Sequence, residues 1–212
     1  MAKRAYQNDF PSVTTVLGVL RKQALEYWFK ANTLKFITEE SAKGKLIGTQ
    51  IHAVIQDYIE KGSAKIETEY IDEVKNALES FIKFTKENPD IKLKRSELPL
   101  TSEQFKYNGT IDCTAEVAGV LILADWKTGK AKEEESPAIY DEYLYQVASY
   151  VYLYNEVNKT NIEKAIIVSV AKDKVAYGTR MMNKEEIDGC FNEVFLPALK
   201  ILNYQRNNKR KD

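Results

Sequence analysis

The sequence predicts an α/β (α+β) fold with a mixed central sheet flanked by helices and an N-terminal helical extension. Three observations predict this class. Apolar side chains recur at helical spacing before residue 90, residues 92–127 change to the alternation of strands, and a later long helix is followed by short apolar runs. The 212 residues are 44% hydrophobic and 29% charged, a balance that suits one globular core.

Residues 1–90 are expected to form a helical part and residues 91–212 the core that carries the sheet, within one structural unit. The predicted helices of the first part span residues 12–38, 49–61 and 71–87. Ser12 is placed to cap the first helix, a break is expected near Gly44, and Gly62 ends the second helix as its C-cap.

The second part is predicted to hold a three-stranded meander, a long helix, two more strands and a last helix. The predicted strands span residues 93–100, 104–117, 120–128, 163–170 and 174–181, and the helices residues 139–158 and 183–204. Ala118-Gly119 and Asp173-Lys174 are the expected turns between neighbouring strands. Asn183 is placed to cap the last helix.

Composition and charge exclude several classes of protein. Lys+Arg and Asp+Glu both number 31, so no global basic field attracts nucleic acid, and any polyanion site must be a local groove. No apolar run approaches the roughly 18 residues of a membrane helix. The N-terminus lacks the apolar stretch of a secretory signal, and two cysteines make neither a disulfide framework nor an iron–sulfur cluster, so a cytoplasmic location is expected.

Two acidic residues on neighbouring strands form the strongest candidate site. Asp125 and Lys127 are predicted to share a face at the end of an otherwise apolar strand, and Asp112 is predicted on one face of the preceding strand, with Ile111 and Cys113 on the other. The hairpin between these strands puts Asp112 almost opposite Asp125. Like charges opposed across strands are destabilising, and a divalent cation removes that penalty, so the pair predicts a Mg²⁺ or Mn²⁺ site.

Two further motifs indicate little when taken alone. The only histidine, His52, lies one turn after Thr49 in the helical part, and a lone helix histidine is more often a surface or core residue than a ligand. Gln146 and Tyr150 lie one turn apart on the same face of the long helix. A helix so rich in tyrosine is more often simply packed against a sheet.

The order of the motifs resembles a known family. The chain carries Gly-Thr-x-x-His ending at His52, Gly-Thr-Ile-Asp ending at Asp112, Asp-x-Lys-Thr-Gly starting at Asp125, and Gln-x-x-x-Tyr starting at Gln146. This series resembles the RecB-like branch of the PD-(D/E)XK nuclease superfamily over roughly residues 11–155. The opening stretch from Pro11 also looks like the start of phage exonucleases and of the mitochondrial single-strand DNA exonuclease. Ile111 stands where the superfamily name has proline, at a position that varies in this branch.

The resemblance implies a restriction-endonuclease-like core, an enzyme that hydrolyses phosphodiester bonds, and one or two Mg²⁺ or Mn²⁺ ions. The implied metal ligands are His52, Asp112, Asp125 and the backbone carbonyl of Trp126. Glu97 is a further candidate, because many relatives place an acidic residue before the second strand of the meander. Its alternative reading is a surface acid at the end of a strand.

The resemblance also implies roles for the other motif residues. Lys127 would orient and activate the attacking water and contact the scissile phosphate, in catalysis shared with Asp112 and Asp125. Gln146 and Tyr150 would hold the active site and the DNA backbone. Thr49 and Thr128, from the same motifs, are additional candidates.

The expected substrate is DNA, single-stranded or with a free end. Aromatic residues beside basic groups in the helical part suit single-stranded bases: Tyr27, Trp28 and Phe29, with Arg21, Lys22 and Lys30. A core position for Trp28 is the alternative. Three functions stay open: a metal-dependent DNA exonuclease, a flap-cutting or restriction-like endonuclease of the same superfamily, and a non-catalytic nucleic-acid-binding module.

Overall fold

The computed structural model describes residues 6, 8–20, 27 and 29–208 and centres on a five-stranded sheet in the order β1-β2-β3-β4-β5. The strands are β1 (Ile91–Ser102), β2 (Tyr107–Val117), β3 (Val120–Gly129), β4 (Ala165–Ala171) and β5 (Tyr177–Met182). The first three strands form an antiparallel meander, β3 and β4 run parallel, and β4 and β5 are antiparallel. The mixed sheet confirms the predicted fold class.

Helices cover both faces of the sheet. The helices whose bounds lie within the described residues are α1 (Val13–Leu17), α2 (Leu34–Lys61), α3 (Ile71–Glu87), α4 (Asp141–Asn158), α5 (Lys184–Gly189) and α6 (Leu196–Asn207), with a π-helical turn (Cys190–Phe195) between the last two. Apolar side chains of α2 and α3 share one core with the sheet, and those of α1 and α4 to α6 share the other. None of the helices described is both long and apolar enough to cross a bilayer.

The N-terminal helix prediction was wrong at two places. One helix over residues 12–38 was expected, but α1 ends at Leu17. Residues 27 and 29–31 are helical as expected, and Thr33 then begins a new helix by accepting a hydrogen bond from the backbone N–H of Phe36. Residues 21–26 and 28 lie outside the described residues. No break occurs near Gly44, because the packed part of α2 outweighs the roughly 1 kcal/mol cost of a helical glycine.

Turn chemistry sets most of the other boundaries. Ala118 and Gly119 form the predicted hairpin turn, with positive φ angles of 49° and 81°. The second strand starts at residue 107 rather than 104, because Lys106 adopts the left-handed conformation of a turn. Asn183 caps α5 as predicted, through a reciprocal capping box with Glu186, but the π-helical turn interrupts the expected single last helix.

The sheet forks beside Asp112. Pairing between β2 and β3 ends at Cys113 and Ala124. On the far side of this pair from the hairpin turn, β2 stays paired with β1 and β3 stays paired with β4, so β2 and β3 separate. Ile111 packs in the core with α4, whereas Cys113 packs in the core with α2 and α3. The prediction that Ile111 and Cys113 share a face was therefore wrong, and the ladder stops one pair before Asp112 and Asp125 would oppose each other.

Candidate active site

A cleft of about 600 Å³ opens at this fork, between α2 and α4. The predicted site residues that line it are Thr49, His52, Glu97, Asp112, Trp126, Lys127, Thr128, Gln146 and Tyr150. Asp125 is 2% exposed and lies directly behind the wall, with its Oδ2 2.5 Å from Lys127 Nζ. The fold thus brings motifs from two helices and three strands to one place.

Three side chains on different elements bring metal-ligating atoms together. One atom each from His52, Glu97 and Asp112 lies within 4.8 Å of the others. Ligands on opposite sides of a Mg²⁺ ion are about 4.2 Å apart, so a small closure would let one ion bind all three. His52 Nδ1 is 3.5 Å from Asp112 Oδ1. Burial lowers the pKa of His52, but the charge and hydrogen bond of Asp112 outweigh it and raise the pKa above 6.5.

Asp112 is fixed by the backbone of the neighbouring strand. Its Oδ2 accepts a hydrogen bond of 2.9 Å from the N–H of Trp126, at the point where the β2–β3 ladder has ended. Burial raises the pKa of Asp112, but His52, Lys127 and this N–H together lower it below its usual range. Because the N–H and C=O of a strand residue point to the same side, the carbonyl of Trp126 faces the fork as well.

Glu97 reaches the cleft through an irregular backbone. The register of β1 shifts between Leu93 and Ser96, and the next residue, Glu97, has a φ of 51°. A non-glycine residue in this left-handed region is strained, and such strain is typical of functional sites. The bulge turns Glu97 toward His52 and Asp112, so its expected alternative as a surface acid at a strand end does not describe its position.

Asp125 is a buried carboxylate with one cationic partner. The Lys127 ammonium lies 2.5 Å from its Oδ2, and no other residue that the structure describes donates a hydrogen bond to either oxygen. Burial is the main cause that raises the pKa of Asp125, to about 6, and Lys127 only partly opposes it. A buried carboxylate with a single donor is costly, and a divalent cation would satisfy it. The donor set of His52, Glu97 and Asp112 fits a bound metal ion, and Asp125 is not part of that group of atoms within 4.8 Å of one another.

Gln146 and Tyr150 line the cleft from α4. Gln146 Nε2 donates a 2.9 Å hydrogen bond to the Tyr150 hydroxyl. A Cβ placed on Gly109 would lie 2.9 Å from Tyr150 Cε1 and 2.8 Å from Leu153 Cδ2. The glycine of the Gly-Thr-Ile-Asp motif thus lets α4 approach β2 closely enough to seat Tyr150.

We expect Gly109→Ala to lower activity at least tenfold and to destabilise the fold by about 1–3 kcal/mol, since the added methyl group displaces Tyr150 and Leu153. Metal binding should persist, because the ligands of α2 and β1 are untouched. Calorimetric metal titration and urea unfolding measure both effects. Gly44→Ala is the control, because its Cβ meets no atom within 4 Å, and it should stabilise the fold by up to about 1 kcal/mol. Equal activity of Gly109→Ala and the unchanged protein would contradict this role.

Several residues that line the cleft were not predicted from the sequence. They are Thr14, Lys45, Gln56, Thr110 and Tyr143. Lys45 and Gln56 continue the helical spacing of Thr49 and His52, but the break expected near Gly44 hid Lys45. The hydroxyl of Thr110 is hydrogen-bonded to Tyr6, which precedes every predicted element.

Of the expected aromatic platform in the helical part, Arg21, Lys22 and Trp28 lie outside the described residues. Tyr27 is 73% exposed and Phe29 44% exposed. Their part in substrate binding stays a prediction.

Comparison with known proteins identifies the family of the chain. The sequence matches the PD-(D/E)XK nuclease superfamily over residues 21–189. Two similar solved structures are a phage-related exonuclease from Haemophilus somnus 129PT (16% identity, 74% of this chain and 81% of that chain, TM-score 0.41) and an alkaline exonuclease from Laribacter hongkongensis (13% identity, 94% and 93%, TM-score 0.39). No curated protein matches the sequence significantly. The family match covers most of the chain, which therefore belongs to the PD-(D/E)XK nuclease superfamily.

Proposed function

We propose that this chain is a Mg²⁺- or Mn²⁺-dependent DNA exonuclease of the RecB-like branch that prefers single-stranded ends. The observation that carries the proposal is the cluster of His52, Glu97 and Asp112 in one cleft with the buried Asp125–Lys127 pair. Lys127 is the one donor to Asp125 among the described residues, so this carboxylate has capacity for a further cation.

The ion would be held by His52, Glu97, Asp112 and Asp125, with the Trp126 carbonyl as a further ligand. When bound, it acidifies water and neutralises charge on a phosphoryl group. The carboxylates supply the hard oxygen ligands that Mg²⁺ and Mn²⁺ prefer, and the single imidazole adds a nitrogen that Mn²⁺ accepts readily.

Lys127 is the residue proposed to act on the substrate. Its side chain is 13% exposed and lines the cleft, so its ammonium can donate to a water molecule or to a phosphate oxygen while Asp125 holds it from behind. Gln146 and Tyr150 present one amide and one hydroxyl to the same space and would orient the sugar–phosphate backbone.

The size of the cleft suits one or two nucleotides of a strand. Its volume is about 600 Å³, within the range of sites that bind a small ligand. The preference for ends is tested with circular substrates.

The test is cleavage of 5′- and 3′-labelled single and double strands, and of circular single-stranded DNA, with Mg²⁺ or Mn²⁺ and with EDTA. We expect metal-dependent release of short products from linear single strands and no attack on circles. Cutting of circles would indicate an endonuclease of the same superfamily. Binding of DNA without degradation in either metal would indicate a non-catalytic module.

We expect His52→Ala to raise the Mn²⁺ concentration needed for half-maximal activity at least tenfold, since loss of one ligand weakens metal binding. Gln56→Ala is the control, because it lines the same cleft one turn further along α2, outside the ligand cluster. Activity is measured across a Mn²⁺ titration. An unchanged midpoint for His52→Ala would refute its ligand role.

A further inference from the structure

The cleft-facing side of α4 carries a row of side chains that becomes more exposed toward the start of the helix. Tyr150 is 7% exposed, and Gln146 and Tyr143 line the cleft above it. Tyr140, the residue just before α4, is 50% exposed. The row therefore leads from the buried end of the cleft out to its rim.

Contacts tie the outer ring of this row to the proposed reaction centre. The ammonium of Lys127 lies 5.3 Å from the centroid of the Tyr143 ring, a cation–π distance. Tyr140 packs edge to face on Tyr143, with ring centroids 5.5 Å apart and an interplanar angle of 80°. Tyr143 thus contacts both Tyr140 and Lys127. Burial raises the pKa of Tyr143 to about 12, so its phenol stays uncharged beside a phosphate.

A single exposed aromatic is common on protein surfaces, so exposure alone indicates nothing. Tyr140 differs from other exposed aromatic residues in its position beside the cleft. A phosphate at Lys127 carries a nucleobase on each flanking sugar, and a base on the outward side would reach the rim where Tyr140 stands. Stacking of bases on aromatic rings is tolerant of sequence, because every base has a π-face.

We propose that Tyr140, supported by Tyr143, is a stacking platform for an unpaired nucleobase next to the scissile phosphate, and that this platform selects single-stranded DNA. The inference rests on the proposed nuclease function and specifies its substrate. In a duplex the faces of each base are covered by its neighbours, and exposing one costs a few kcal/mol. An unpaired end meets Tyr140 without that cost.

The test compares Tyr140→Ala with Tyr140→Phe, which keeps the ring, and with Tyr204→Ala, which removes a 70% exposed tyrosine on α6. Substrates are a single-stranded oligonucleotide and versions with one abasic nucleotide at each of the four terminal positions. We expect Tyr140→Ala to raise KM roughly tenfold with kcat little changed, and the two controls to match the unchanged protein. One abasic position should raise KM of the unchanged protein by a similar factor.

The decisive measurement is the KM of Tyr140→Ala for each abasic substrate. If the base stacks on Tyr140, that abasic substitution has little further effect on Tyr140→Ala, because the partner is already missing. Additive effects, or an unchanged KM, would overturn the inference. Oligonucleotide binding, measured by fluorescence anisotropy in EDTA, reports the contribution of Tyr140 to affinity without cleavage. Absence of nuclease activity would therefore refute the proposed function, while the binding measurement still tests the stacking platform.

Discussion

Lys127→Ala is expected to reduce DNA cleavage by a factor of roughly 100 to 1,000 or more while metal binding persists. The variant loses the cation proposed to contact the water and the phosphate, and loss of one such electrostatic contact costs about this much in kcat. The metal ligands stay in place. Affinity for the metal should hold or rise, because the ammonium 2.5 Å from Asp125 Oδ2 competes with a cation for that carboxylate.

Two variants control this result, and calorimetric Mn²⁺ titration accompanies the cleavage assay. Lys200→Ala removes an exposed lysine of α6, outside the residues that line the cleft, and should leave cleavage unchanged. Lys127→Arg keeps the charge but should recover little activity, because a planar guanidinium does not replace a compact ammonium enclosed between Asp125 and Tyr143. Normal turnover by Lys127→Ala would remove Lys127 from the mechanism.

The elements around the site could be predicted from the sequence because their signals are local. The Ala118-Gly119 turn needs two positive φ angles, and a glycine supplies one of them at no steric cost. Alternation along β3 placed Asp125 and Lys127 together, and the structure joins them in an ion pair. Apolar spacing gave α3 and most of α4, since each buries one face against the sheet.

The parts of the site that could not be predicted from the sequence depend on tertiary contacts. The direction of Glu97 follows from a bulge in β1 that only pairing with β2 creates. Strand alternation assumes a continuous ladder, so the fork at Asp112 could not be read from the pattern of the second strand. Tyr143 looked like one more tyrosine of a packed helix, and only its contact with Lys127 distinguishes it.

The largest effect on stability is expected for Asp125→Asn, which should make the metal-free protein more stable at neutral pH. The neutral amide resembles the protonated carboxyl in size, and Asp125 is 2% exposed with Lys127 as its one donor among the described residues. Its pKa rises from 3.8 in the unfolded chain to about 6 in the fold, which corresponds to roughly 3 kcal/mol of differential interaction.

The sign of the pH dependence follows from this rise. A carboxyl whose pKa is raised by folding favours the folded state fully below pH 3.8, and this contribution is lost as the pH increases through about 6. The unchanged protein should therefore lose stability across this window relative to Asp125→Asn. Urea unfolding in EDTA between pH 4 and pH 8 measures the difference, which should be near zero at pH 4 and largest above pH 6.

Asp112→Asn is the matched control with the opposite sign. The pKa of Asp112 is lowered by His52, Lys127 and the N–H of Trp126, so its charge stabilises the fold above the unfolded pKa, and its removal should destabilise the protein at neutral pH. Two aspartates of one site would then shift stability in opposite directions, which a general loss of packing cannot produce. Destabilisation by both variants at pH 8 would contradict the assignment of Asp125 as a buried charge that destabilises the metal-free protein.

Metal binding should reverse the order of stability. Mn²⁺ is proposed to bind Asp125 more strongly than the Lys127 ammonium does, so saturating Mn²⁺ should raise the unfolding midpoint of the unchanged protein well above its value in EDTA. Asp125→Asn should respond weakly, because its amide is a poorer ligand than a carboxylate. A metal ligand is expected to destabilise the metal-free protein and to stabilise the metal-bound protein. A carboxylate with a purely structural role would stabilise both forms. Equal Mn²⁺ responses of the two proteins would show that Asp125 is not a ligand.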